Sequence, residues 1–181
     1  MVDQPRRGLA ALVRLHLAKE DERTTLLTRR LSVARDRGYL TRGELLAVCR
    51  WKSARAIHRV AANDHHRVRA TTRAAMAART EGDRLDALVE LHGVSVPMAS
   101  AILTLLYPSR YGVIDIRVWQ FLHGVGAVGD NERGTKFTAG QWLAFLAIIR
   151  RLSRRLRVSP RAVERTLFAL HKAHQRKRLY G

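Results

Sequence analysis

The stretch that decides the fold runs from Leu91 to Trp119 and reads LHGVSVPMASAILTLLYPSRYGVIDIRVW. It contains a glycine turn at Gly93, an apolar helix, a Tyr-Pro break and then one acid, Asp115, between apolar neighbours. Gly93 can adopt a positive φ without a Cβ clash, which permits a tight reversal between two helices. Pro97 falls in the first turn of the second helix, where its missing N–H is tolerated. The pattern predicts a helical hairpin followed by a further helix that begins at Asp115.

Such a hairpin is suited to phosphate binding. Free backbone N–H groups at the start of its second helix, together with the helix dipole, form an anion site that does not depend on base sequence. We therefore expect His92, Gly93, Val94 and Ser95 to contact a phosphate backbone. The alternative is an ordinary turn between two helices, since Gly-Val-Ser alone is a weak signal.

The charge of the chain predicts a polyanionic partner. Lys and Arg number 34 against 15 Asp and Glu, which gives a formal net charge of +19 and a pI near 11.6 over 181 residues. From Arg150 to Arg178 there are eleven basic residues and one acid, Glu164, whereas the segment 84–149 has five of each sign. An excess of this size favours nucleic acid as the partner, with an acidic membrane surface as the second candidate. Solvated helical faces explain single arginine runs but not the excess over the whole chain.

The remaining sequence is typical of an all-α protein. Apolar residues recur at three- and four-residue steps, and no strand pattern is present. Thr41 and Glu44 have the spacing of a capping box, and Asn63 or Asp64 is suited to cap the helix that follows. The helices are expected at about 9–17, 22–37, 41–62, 65–80, 81–91, 97–107, 115–122, 139–155 and 159–173, with a glycine-rich loop at 123–140.

Cysteine and histidine usage argues against several kinds of site. Cys49 is the only cysteine, which excludes an internal disulfide and any cluster held by several cysteines. We expect no transition-metal site, because the adjacent His65 and His66 point apart on a helix, and His171 and His174, which can share a face, lack an acidic or thiol partner.

The sequence also predicts a cytoplasmic protein without a membrane span. No uninterrupted apolar run reaches about 18 residues, the length that suggests a transmembrane helix. Near the N-terminus Arg14 and His16 interrupt the apolar stretch that a signal peptide would need.

The hairpin and the aspartate together resemble the helix–hairpin–helix DNA glycosylase superfamily, which includes endonuclease III and the 3-methyladenine and 8-oxoguanine glycosylases. That family carries a Leu-Pro-Gly-Val-Gly hairpin, an alanine near the start of the next helix and an aspartate downstream. Here residues 91–95 read Leu-His-Gly-Val-Ser, Ala99 follows, and residues 113–115 read Val-Ile-Asp. The resemblance covers about residues 85–124. The family's proline and second glycine are replaced by His92 and Ser95.

The resemblance implies a two-lobed helical glycosylase fold that uses all 181 residues as a single unit. A central lobe at about 40–125 holds the hairpin (82–107), and residues 1–39 plus 126–181 form the second lobe and a basic tail. It also implies a monomer in the nucleoid that binds double-stranded DNA with a damaged or modified base. Arg117 is expected to face a backbone phosphate. The backbone carbonyls of Val89, Leu91 and Val94 are expected to hold a Na⁺ or K⁺ ion.

Asp115 has two interpretations. As the first residue of a helix it is suited to accept backbone N–H bonds as an N-cap. In the family an aspartate at this position stabilises the positive charge that develops on the sugar as the base leaves. Bifunctional members also carry a nucleophilic lysine, which falls here at Pro97. The resemblance therefore implies a monofunctional glycosylase without lyase activity, required cofactor or iron–sulfur cluster, acting in base-excision repair or in defence against modified phage DNA.

The base pocket is expected at Trp51 and Lys52, because an aromatic ring can stack on a flipped base. The alternative places Trp51 in the core and leaves Lys52 as a solvated charge. Trp119, Trp142 and Phe145 are interpreted as core residues. Two other functions remain open: a DNA-binding module without enzymatic activity, and a bifunctional glycosylase and lyase that uses Lys52.

Overall fold

The computed structural model describes residues 4–174, with side chains placed for residues 8–173. Within that part of the chain the protein is all-helical and contains no strand, which confirms the all-α prediction. Residues 175–181, and with them the end of the predicted basic tail, lie outside it. The helices are α1 Gln4–Leu15, α2 Glu22–Arg37, α3 Arg42–Ser53, α4 Ile57–Ala61, α5 His65–Ala77, α6 Glu81–Val89, α7 Val96–Leu106, α8 Ile116–Gly124, α9 Ala139–Leu156 and α10 Pro160–His174.

Side-chain caps at the helix starts explain most of the boundaries. Thr41 and Glu44 form the predicted capping box at α3, in which each side chain bonds the other residue's backbone N–H. Asp64 caps α5 by accepting from the Arg67 amide at 2.8 Å. Gly38 ends α2 with a φ of +80°, a conformation that glycine adopts without strain.

The single helix expected over residues 41–62 is wrong. The chain leaves α3 at Ser53, which is extended with a φ of −162°, and passes through a short 3₁₀ turn, Ala54–Ala56, into α4. Between Trp51 and Ile57 the sequence offers no large apolar side chain to bury, so packing does not stabilise a continued helix there. The break leaves Lys52 in the last turn of α3.

Helix α7 is the centre of the core. Every residue from Met98 to Leu106 is buried, and α7 packs against α2, α3 and α6. Trp119, Trp142 and Phe145 are almost completely buried, which confirms their interpretation as core residues. Helix α10 packs on α8 and α9, and α1 packs on α9 and α10.

Glu81 joins the hairpin to α9. Its carboxylate accepts from the Tyr111 hydroxyl and from Arg150, each at 2.7 Å. Burial would raise the pKa of Glu81, but these bonds outweigh burial and hold that pKa below its ordinary value. Burial and the bond to Glu81 raise the pKa of Tyr111 to about 12.

None of the helices in the described residues combines the length and the apolar character that a membrane crossing needs.

Candidate functional site

The hairpin between α6 and α7 bends at Gly93, whose φ is +75°. A Cβ atom there would lie 2.7 Å from the Cβ of Arg59 and 2.9 Å from the backbone nitrogen of Val60. Both contacts are shorter than a carbon atom allows, and the positive φ disfavours any other residue. The turn therefore requires glycine, and it packs directly on α4.

Asn63, which lies between α4 and α5, holds the hairpin in place through hydrogen bonds. Its side chain is buried, with 1% exposed. Its amide nitrogen donates to the carbonyl of His92, and its amide oxygen accepts from the His92 N–H, both at 2.9 Å. The sequence pattern predicted Asn63 only as one of two possible caps for α5, and Asp64 has that role.

Two of the expected phosphate-binding amides are used inside the fold. The His92 N–H donates to Asn63, and the Val94 N–H donates to the Leu91 carbonyl at 3.0 Å. Among the described residues the N–H groups of Gly93 and Ser95 have no acceptor. The Ser95 side chain makes no capping bond to α7, so these two amides are the ones left for an anion.

The three carbonyls predicted to hold a monovalent cation all belong to residues that line the same cleft. The carbonyl of Leu91 already accepts from Val94, whereas those of Val89 and Val94 accept no hydrogen bond from the described residues. A carbonyl oxygen has two lone pairs, so all three retain capacity for a cation. The cation remains a prediction.

Asp115 is fixed at the start of α8. One carboxylate oxygen, Oδ1, accepts from the amides of Arg117 and Val118 at 2.9 and 3.1 Å. The preceding residue, Ile114, donates its N–H to the buried Ser100 hydroxyl at 3.1 Å. The capping interpretation of Asp115 is therefore confirmed, and it leaves the second oxygen, Oδ2, free for another partner.

That partner is Lys52, which lies 63 residues earlier in the chain. Its Nζ is 3.3 Å from Oδ2 of Asp115, and the two side chains are 17% and 18% exposed. Lys52 lies in the last turn of α3, which ends at Ser53. The alternative of Lys52 as a solvated surface charge is therefore wrong.

An open cleft of about 780 Å³ is lined by the hairpin and by this ion pair. We call it the hairpin cleft. Five basic residues line it, against two acids, Glu90 and Asp115. The basic residues are Lys52, Arg55, Arg59, Arg117 and Lys136.

A second, smaller cavity of about 280 Å³ lies between α2, α3 and α10. We call it the α10 pocket. Its apolar lining includes the rings of Trp51 and Phe168, and its polar lining includes carboxylates and guanidinium groups. The full set is Asp21, Thr24, Trp51, Lys52, Val113, Asp115, Arg161, Glu164, Arg165 and Phe168.

Trp51 is both a core residue and part of the pocket lining. The indole packs against the core and is fixed by a 2.7 Å bond from its Nε1 to the Thr24 hydroxyl, while the ring also lines the α10 pocket. The guanidinium of Arg161 lies 5.3 Å from the centre of the ring. Trp51 is therefore a rigid wall of this pocket.

Ion pairs fix the polar side of the α10 pocket. Arg161 forms two bonds to Glu20, at 2.9 and 3.0 Å, and also pairs with Glu164. Burial raises the pKa of the Glu164 carboxyl although Arg161 opposes the shift. Burial acts to lower the pKa of Arg161, but Glu164 and Glu20 outweigh it and raise that pKa.

Lys52 and Asp115 are the two residues that line both cavities. A group bound in the hairpin cleft and a group bound in the α10 pocket would therefore meet at this ion pair. Arg117, expected to face a phosphate, lines the hairpin cleft, and its guanidinium lies 5.6 Å from the centre of the Phe168 ring.

The C-terminal arginine run is only partly available to a polyanion. Arg150 pairs with Glu81, Arg161 is buried, and Arg165 bonds Glu20 at 2.8 Å. These three are used within the fold. The exposed members of the run in α9 and just after it are Arg151, Arg154, Arg155 and Arg157.

The sequence analysis did not predict the α10 residues that line the pocket. Two features of the sequence could have indicated them. Glu164 is the one acid in a run of eleven basic residues, and Gly112 permits a close approach to it. A Cβ at Gly112 would lie 2.8 Å from the Cβ of Glu164, so the glycine lets the segment before Asp115 pack on α10.

Among the described residues, no group of three or more His, Cys, Asp or Glu side chains is placed to hold a metal ion. Comparisons of the chain with protein-family models, with curated proteins and with solved structures found no match.

Proposed function

We propose that the chain is a monofunctional DNA glycosylase, which flips a damaged or modified base out of duplex DNA and hydrolyses its N-glycosidic bond. The product is an abasic site. The observation that carries this proposal is the position of Asp115, a fixed carboxylate at the junction of a basic cleft and a pocket lined by aromatic rings.

The hairpin cleft is suited to the DNA backbone. Its amides at Gly93 and Ser95 and its excess of basic side chains provide contacts that are independent of base sequence. A phosphate bound there would hold the adjacent sugar towards Asp115.

The α10 pocket is suited to the flipped base. Extrusion of a base costs stacking energy, which contacts in a protein pocket must offset. Trp51 and Phe168 supply aromatic surface. With the base in this pocket and the phosphate at the hairpin, the glycosidic bond would lie next to the Lys52–Asp115 pair.

Asp115 would act electrostatically. Departure of the base leaves an oxocarbenium-like sugar with a positive charge, and a preorganised carboxylate stabilises that charge without reorganising. The two amide bonds to Oδ1 fix the orientation of the carboxylate. Pro97 offers no nucleophile, so water is the expected acceptor of the sugar.

The test is excision from a panel of duplexes that each carry one altered base: an alkylated purine, an oxidised guanine, a mismatched base, uracil or a hypermodified pyrimidine. Abasic sites are read out after mild alkali. Wild type is expected to excise at least one base, and Asp115→Asn is expected to be nearly inactive.

The other outcomes are informative. Binding to every duplex with no excision would favour the DNA-binding module without enzymatic activity. Strand cleavage without alkali, abolished in Lys52→Ala, would favour the bifunctional alternative.

A further inference from the structure

We propose that Lys52 is the acid that protonates the departing base, so that the substrate of this site is an uncharged nucleobase rather than a cationic, alkylated one. This inference rests on the proposed function, because it assigns a role within the same reaction.

The position of Lys52 supports the role. Its Nζ lies 3.3 Å from Oδ2 of Asp115, and it lines both the hairpin cleft and the α10 pocket. With the sugar at Asp115 and the base beside Trp51, an ammonium at this junction faces the bond that breaks. A proton donor must lie within hydrogen-bond reach of its acceptor, directly or through one water.

The presence of lysine rather than arginine at position 52 also supports a role in proton transfer. The chain has five lysines among its 34 basic residues, so arginine is the usual cation of this protein. An arginine would pair with Asp115 at least as well, because its guanidinium matches a carboxylate with two parallel bonds. An arginine does not release a proton at physiological pH, whereas a lysine can. The lysine at this junction is therefore explained by proton transfer better than by ion pairing alone.

The reaction balances without a further reactant. The C1′–N bond breaks, and its electron pair goes to the base nitrogen. The ammonium of Lys52 gives its proton to the base, which leaves uncharged. Water adds to C1′ of the sugar cation, and the proton it loses passes to the Lys52 amine and restores the ammonium. Asp115 keeps its negative charge throughout.

The class of substrate follows from this proton. An uncharged base would depart as an anion, which is a poor leaving group unless it is protonated. An alkylated purine that is already cationic departs as a neutral molecule and requires no acid. The Arg161 guanidinium at Trp51 also weakens any gain from stacking a cationic base on that ring.

Excision kinetics under single-turnover conditions test the role. One duplex carries the uncharged base that is excised fastest in the panel, and a second duplex with 7-methylguanine provides the cationic leaving group. Lys52→Arg and Lys52→Met are expected to lose about 100- to 10,000-fold in rate on an uncharged base, the usual contribution of acid catalysis. On 7-methylguanine Lys52→Arg is expected to lose far less than on the uncharged base, because a cationic base requires no acid. Lys19→Met, at an exposed position outside both cavities, is the matched control.

A binding measurement tests the position of Lys52 independently of the base. One duplex carries a pyrrolidine in place of the sugar, whose ring nitrogen is positively charged. The reference duplex carries an uncharged tetrahydrofuran. Lys52→Met is expected to raise the preference for the pyrrolidine roughly 10-fold, because a like charge beside it is removed. Asp115→Asn is expected to lower that preference.

Three results would overturn the inference while leaving a glycosylase in place. They are a wild-type rate in Lys52→Arg on an uncharged base, a pyrrolidine preference that Lys52→Met leaves unchanged, and a borohydride-trapped adduct on abasic DNA that depends on Lys52. The last would make Lys52 a nucleophile. If wild type excises no base, the proposed function fails, and a pyrrolidine preference that Lys52→Met still changes then shows only that Lys52 lies beside the bound sugar.

Discussion

Asp115→Asn is the substitution that tests the reaction most directly. An asparagine can keep the cap, because its side-chain oxygen can accept from the amides of Arg117 and Val118 as Oδ1 does now. The cap should change by about 1 kcal/mol or less. The amide group cannot pair with the Lys52 ammonium, and a largely buried donor without its partner costs about 1–3 kcal/mol. The total, roughly 1–4 kcal/mol, is smaller than the stability of a typical domain.

The effect on rate should be far larger. Loss of one preorganised electrostatic contact typically lowers a rate by about 100- to 1,000-fold. DNA affinity should stay equal or rise slightly, because one repulsion with phosphate is removed. Thermal unfolding, DNA anisotropy and single-turnover excision together separate these effects.

Asp64→Asn is the matched control. Asp64 caps α5 with the same kind of bond, from the Arg67 amide, and lines neither cavity. The Asp64→Asn variant should lose the charge at this helix cap and keep the full excision rate. If Asp115→Asn excises its base at the wild-type rate, Asp115 is a cap only and the catalytic assignment fails.

Further tests address polyanion binding, the glycine of the hairpin and the ion pair of Glu81 with Arg150. DNA affinity should fall steeply between about 50 and 200 mM salt, since phosphate contacts release counterions; a flat titration would contradict polyanion binding. Gly93→Ala should lower both the melting temperature and DNA affinity, because its Cβ would lie 2.7 Å from that of Arg59, whereas Gly43→Ala, with open space around it, should leave both intact or slightly improved. Glu81 has a lowered pKa, so its stabilising effect is present above the ordinary glutamate pKa and is lost as pH falls through the lowered value. Glu81→Gln should therefore reduce stability at neutral pH by about 1–3 kcal/mol and flatten the acid limb of the denaturation curve, and an unchanged acid limb would show that the Tyr111 and Arg150 contacts contribute nothing.

The local parts of the site can be predicted from sequence because they depend on near neighbours. A side chain that caps a helix bonds an amide two or three residues away, as Thr41 does at α3 and Asp115 at α8. The positive φ of Gly93 is a property of that one residue, so glycine in the turn can be anticipated from sequence. The period of apolar residues likewise indicates the helices, because one buried face repeats every three or four positions.

The junction at Asp115 depends on the tertiary structure. Lys52, in the last turn of α3, pairs with a carboxylate at the start of α8 that lies 63 residues later in the sequence. The continuous helix expected from periodicity after α3 does not form. Asn63 bonds His92 across 29 residues, and α10 supplies the ion pairs of a pocket that begins at α2. Such contacts cannot be predicted from the spacing of residues in the sequence. A polar side chain that faces water and one that bonds a distant partner give the same sequence pattern. Composition and local pattern thus determined an all-helical, highly basic chain with a glycine hairpin and a capping aspartate. The packing of helices far apart in sequence decided that this aspartate shares its site with a lysine, because only burial of their apolar faces brings the two side chains together.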